Sequence, residues 1–223
     1  YNINIIYVVS LDSIKSFCLD KKIIIVGNSS RLLNSNYGRL IDSYDIVVRI
    51  NRGYQQGNLY TSMIGSKTTI LSVGVKSAGF ARQIIAGNPF TYVLSPIIFS
   101  DKLQLPNGYD IEYNDYHILC SALNNNKPST GISTYNFFNN LNNFKRLDLV
   151  GFDFFESSSS YRNQLGHLRV DDHSGAKEKE FFEKVKDNNK TQLYAMKNGA
   201  VIPNNIPTAP PHQAANYIIK KYK

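Results

Sequence analysis

Two short apolar runs, Ile23–Val26 and Ile46–Ile50, each end on small polar residues: Gly27-Asn28-Ser29 after the first, Asn51 after the second. Such runs are too short for a buried helix and lack the alternation of a strand with one wet face. They fit strands buried on both faces, as in parallel sheets covered by helices. Further strands are expected at Thr69–Val73, Thr91–Leu94, Leu147–Val150 and near Gln192–Met196. The segments between them read as helices over Ser77–Ala86, Ile132–Leu141, Ser174–Lys186 and Gln213–Lys221. Strands alternating with helices predict an α/β fold with a mainly parallel sheet flanked by helices. One domain over 1–223 accounts for a chain of this length, with residues 1–20 as a peripheral segment. Residues 101–116, with Pro106 and Asn107-Gly108, read as a loop.

Composition narrows the classes of partner. The formal charge of +8 suits a lysine-rich, solvated surface and equally suits attraction to an anionic ligand or peripheral association with an anionic glycolipid surface. Its basic residues are scattered apart from Lys220-Lys221-Tyr222-Lys223, and no nucleic-acid-binding motif accompanies them. No nucleic-acid partner is therefore expected. No apolar stretch is long enough to span a bilayer. The two cysteines, Cys18 and Cys120, have neither metal-ligand spacing nor the density of a disulfide framework. They are expected to be buried free thiols, which fits a cytoplasmic setting.

Four constellations carry candidate chemistry. The Gly27-Asn28-Ser29 turn follows a buried strand, where backbone N–H groups and a short amide can meet phosphate or sugar hydroxyls. It lacks the three-glycine dinucleotide pattern and the Gly-Lys-Ser/Thr of a P-loop, and it equally suits an ordinary strand-to-helix turn. Pro128-Ser129-Thr130-Gly131 opens a helix, where free N–H groups and the helix dipole favour an anion. The same residues suit plain capping. Asp153 stands where a strand emerges, with Tyr161 and His167 in the loop beyond as donors for a leaving phosphate. Last, His173 precedes a helix and Glu178 lies inside it. A histidine suits a general base near neutral pH, and a carboxylate can orient its ring, although a single histidine before a helix is more often a cap or surface residue. No Asp-x-Asp pair occurs, so no metal on a diphosphate is expected.

In this order the segments resemble the sialyltransferases. Val26-Gly27-Asn28-Ser29 through Val48-Arg49-Ile50-Asn51 resembles the long sialyl motif of the animal enzymes. Pro128-Ser129-Thr130-Gly131 through Gly151-Phe152 resembles their short motif, and His173-x-x-x-x-Glu178 their very short motif. Gly151-Phe152-Asp153 with Ser159-Ser160-Tyr161 is also similar to a bacterial lipooligosaccharide sialyltransferase family. The resemblance implies a single Rossmann-like domain and an inverting glycosyltransferase. It implies CMP-sialic acid as donor, a glycan or glycolipid acceptor, and no metal or other cofactor. Asn28, Ser29 and Asn51 would contact the CMP moiety, and Ser129, Thr130 and Gly131 the nucleotide or the sugar carboxylate. His173 would be the base, with Tyr161 and His167 stabilising the departing phosphate.

Ile23 and Asn142 stand where the animal enzymes carry a pair of bridged cysteines, and Phe155 where the bacterial family has a phosphate-binding tyrosine. Two other readings stay open on sequence: transfer from CMP-Kdo, whose carboxylate occupies the same place, and a non-catalytic nucleotide- or glycan-binding module.

Overall fold

The computed structural model describes residues 9–57, 60–74, 90–95, 108–110, 113–157 and 173–196. The helices expected at Ser77–Ala86 and Gln213–Lys221 lie outside these residues, as do Tyr161 and His167.

Among the described residues six parallel strands form one sheet: β1 (Lys22–Val26), β2 (Ile46–Ile50), β3 (Ile70–Ser72), β4 (Tyr92–Ser95), β5 (Gly108–Asp110) and β6 (Arg146–Val150). Their order is β5-β4-β3-β2-β1-β6. The chain therefore steps outward from β1 through β5 and then returns to the other side of β1. That reversal puts a topological switch point between β1 and β6, where open α/β sheets bind ligands at the carboxyl ends of their strands.

Both faces of the sheet are covered, as the unbroken apolar runs require. Side chains alternate along a strand. Ile23 and Ile25 of β1 join Ile132, Tyr135, Phe138 and Phe182 in one core. Ile24 and Val26 join Leu32, Leu33, Ile41 and Ile64 in the core on the other face. The first core holds one side of each of the helices Leu11–Cys18, Thr130–Leu141 and Gly175–Val185. Each of these starts on a serine whose side chain accepts a backbone N–H: Ser10 from Ser13, Ser129 from Ile132 and Ser174 from Lys177. The Thr130–Leu141 helix stops at Asn142, which takes the left-handed conformation that ends many helices (φ 47°).

Three expectations need correction. Residues 101–116 are not all loop: Gly108–Asp110 pairs with β4, and a helix runs from Tyr113 to Ala122. A three-residue edge strand with no apolar alternation carries too little pattern to be read from sequence. Gln192–Met196 is not a strand but a single bridge, Leu193 to Leu149. Asp148 ties this segment to β6, its carboxylate accepting from the Gln192 N–H, Arg146 and the Tyr44 hydroxyl. Both cysteines are free thiols, but only Cys18 is buried; Cys120 is half-buried. Burial pushes the Cys18 thiol up to about 12 and keeps it protonated.

Candidate functional site

The floor of the site is two turns locked together. Past β1, the Gly27 N–H donates to Val150 O at 2.7 Å and the Ser29 N–H to Gly151 O at 3.1 Å. A Cβ on Gly27 would sit 2.3 Å from Gly151 O, so nothing larger than glycine allows this approach. The side chains repeat the link. Asp153 accepts from the Ser29 hydroxyl at 2.8 Å and from Ser157, and those two hydroxyls lie 3.0 Å apart. Asp153, expected as a ligand contact, lines the cleft but spends at least one oxygen on this brace.

Two asparagines follow at the ends of β1 and β2. The Asn28 amide donates to Ile50 O at 3.2 Å. Asn51 sits in the left-handed region (φ 49°), which asparagine tolerates better than most residues. Its oxygen accepts from the Gly74 N–H at 2.8 Å, and its nitrogen lies 3.5 Å from the Thr130 hydroxyl. An amide nitrogen carries two hydrogens, so each asparagine keeps one beyond these bonds.

One wall is the start of the Thr130–Leu141 helix. Thr130 and Gly131 stand in its first turn, whose N–H groups have no partner within the helix. Gly131 is packed tightly, since a Cβ there would lie 2.8 Å from the Phe152 ring. Ser129 does more than cap. Its N–H donates to one Glu178 oxygen at 2.7 Å and its hydroxyl to the other at 2.8 Å. Glu178 is 4% exposed. Burial raises its pKa to about 7, against the opposing pull of the two Ser129 donors.

His173 stands beside this wall, two residues before the Gly175–Val185 helix. Its Nδ1 lies 2.8 Å from Lys127 O. A carbonyl only accepts, so Nδ1 carries the proton and the neutral ring keeps its lone pair on Nε2. The expected Glu178–His173 pairing is replaced on both sides: the Lys127 carbonyl orients the ring and Glu178 holds Ser129. His173 lies outside the helix, so the five-residue spacing does not put the two side chains on one helical face. The orienting group could not be read from sequence, because a backbone carbonyl carries no residue identity.

Asn28, Ser29, Asn51, Ser129, Thr130, Gly131, Asp153, His173 and Glu178 thus all line one open cleft at the switch point. Phe152, Phe154 and Phe155, given no binding role in the sequence reading, line it too. No Lys or Arg side chain lines it among the described residues, so its anion-binding groups there are N–H donors. Nor do three or more His, Cys, Asp or Glu residues gather as a metal site among the described residues.

The family model for glycosyltransferase family 29 (sialyltransferase) matches residues 20–146. This chain belongs to that family. A Mus musculus relative, CMP-N-acetylneuraminate-beta-galactosamide-alpha-2,3-sialyltransferase 4, is 40% identical over 110 residues, covering 44% of this chain and 32% of the relative. The match thus spans about a third of that relative's length. An Arabidopsis thaliana relative named a beta-1,6-galactosyltransferase is 48% identical over 46 residues, covering 21% of this chain and 11% of the relative. The fold superimposes on a mammalian sialyltransferase crystallised with Gal-beta-1-3GalNAc-ortho-nitrophenol, with a TM-score of 0.57 and 20% identity. That superposition covers 85% of this chain and 74% of the other and is a likeness of fold. It agrees with the Rossmann-like architecture expected from the sequence.

Proposed function

We propose that this family 29 chain transfers sialic acid from CMP-sialic acid to a hydroxyl of an acceptor glycan or glycolipid, with inversion and without a metal ion. The observation that carries the reading is His173, whose Nε2 lone pair is left available at a cleft rimmed by N–H and amide donors. Asn28 and Asn51 hold the nucleotide, and the first turn of the Thr130–Leu141 helix takes the phosphate or the sugar carboxylate. The anomeric carbon of the donor is tertiary, so the transition state has oxocarbenium character and its demand falls on the departing phosphate. The acceptor oxygen forms its bond to that carbon as the bond to CMP breaks, and its proton passes to His173 Nε2. Tyr161 and His167 are the side chains we assign to the leaving phosphate.

A second reading has a specific observation in its favour. The cleft has no Lys or Arg among its described lining residues, and one relative is named a galactosyltransferase. A neutral donor sugar fits both. The test is nucleotide release from CMP-N-acetylneuraminic acid, CMP-Kdo and a nucleotide-activated galactose, in EDTA, with and without galactose-terminated acceptors. Acceptor-stimulated CMP release from the sialic acid donor alone supports the proposal. Release only from the galactose donor, or CMP binding with no transfer, overturns it in favour of the galactosyl reading or a binding module.

A further inference from the structure

The turn after β6 contains two consecutive aromatic residues in the left-handed backbone region, Phe154 at φ 52° and Phe155 at φ 67°. Bulky side chains seldom accept this conformation, and two in succession mark a segment that its surroundings impose. Those surroundings are visible. Phe154 packs on Phe182, with ring centroids 6.0 Å apart, and joins the main core. Its carbonyl lies against Gly175, where a Cβ would come within 1.8 Å. The turn is therefore seated on the start of the Gly175–Val185 helix, two residues from His173. The Phe155 side chain also reaches this helix start: a Cβ on Gly175 would lie 3.3 Å from its ring. It is 38% exposed, one of the few large apolar side chains so exposed among the described residues. Its ring lies parallel to the His173 imidazole, with centroids 5.8 Å apart and planes 6° apart.

We propose that Phe155 is a positioning residue for His173, with the left-handed Phe154-Phe155 turn serving to bring its ring onto the imidazole. One hydrogen bond from Nδ1 to Lys127 O leaves the imidazole free to swing about that contact. A parallel, offset aromatic ring with its centroid 5.8 Å away restricts that swing and favours one direction of Nε2. The phenyl centroid, 5.8 Å from that of the imidazole, is also within cation–π reach of the imidazolium formed when the ring accepts a proton. Phe155 thus has a use although it lacks a hydroxyl. The inference rests on His173 being the base, as proposed above.

The test uses Phe155→Gly and Phe155→Tyr in the full chain. Glycine suits φ 67° and relieves the backbone, so Phe155→Gly is expected to hold its thermal midpoint within about 4 °C of wild type. Its kcat should fall roughly ten- to a hundredfold with the donor KM little changed, because the base is misaimed while the donor contacts remain. Phe155→Tyr keeps the ring and should recover most of kcat. In NMR spectra the His173 ring protons should shift in the glycine variant, as the neighbouring phenyl is lost, and stay in place in the tyrosine variant. Unchanged kcat and unchanged ring shifts in Phe155→Gly would overturn the proposal, as would a loss of kcat that tyrosine does not restore. Normal turnover in His173→Ala would instead overturn the base assignment. The ring shifts still report whether Phe155 holds the imidazole in that case, so the two failures are distinguishable.

Discussion

His173 keeps Nε2 available only because Nδ1 is spent on a carbonyl. On the proposed function, replacing it by alanine removes the proton acceptor and leaves the proposed nucleotide contacts in place. His173→Ala is expected to lower kcat by about 10²- to 10⁴-fold, the usual reach of general-base catalysis, with CMP affinity retained in calorimetry. Asn51 combines a left-handed backbone with an amide shared between Gly74 and Thr130. In Asn51→Ala the Gly74 N–H loses its acceptor and the backbone is strained, so CMP affinity should fall about tenfold or more. Affinity equal to wild type would remove Asn51 from the site. Glu178 is the buried acid, with a pKa raised from 4.5 to about 7. A raised folded value means the protonated form is the one the fold prefers. The stability it contributes is whole below about pH 4.5 and lost as pH rises through about 7. Glu178→Gln stays neutral and keeps both an acceptor and a donor for Ser129. It should exceed wild type in stability by on the order of 2 kcal/mol near pH 8 and match it near pH 4. A gap of the same size in thermal melts at both pH values would refute this.

The elements that build the site are the ends of strands and helices, and their readability from sequence followed their length and pattern. β2 matches its expected bounds, because five apolar-rich residues, each buried, admit little else. The Thr130–Leu141 helix starts two residues before the expected Ile132, because Ser129 caps it directly. β5 and the Tyr113–Ala122 helix were hidden behind the turn signals at Pro106 and Gly108. The helix start is also where an element can be tested as a unit. Ser129 caps Ile132 and supplies both donors to Glu178. Ser129→Ala removes the hydroxyl from both and should cost about 2 kcal/mol in urea unfolding, toward the upper end for a lost cap. Serine-to-threonine at the same place keeps the hydroxyl and should lose much less.

At the scale of the whole molecule the cleft exists because the sheet reverses direction between β1 and β6. Residues more than 120 positions apart meet there, Ser29 on Asp153 among them. A ligand held across that seam ties together both halves of the sheet and should stabilise the fold by mass action. CMP at about a hundred times its dissociation constant should add roughly 2.7 kcal/mol and raise the melting temperature. The same concentration should raise it less in Asn51→Ala. An equal shift in both would mean that CMP binds elsewhere.

The sequence alone determined the strand-helix alternation, the burial of its apolar runs on both faces and the set of polar residues at the strand ends. Each of these depends on local residue type and period, which neighbouring positions already display. Tertiary structure decided what those residues do to one another. Glu178 went to Ser129 rather than to His173, and the imidazole took its direction from the Lys127 carbonyl and the Phe155 ring. Partners of that kind are chosen by where chain segments cross, and a carbonyl or a left-handed turn has no letter in the sequence to announce it.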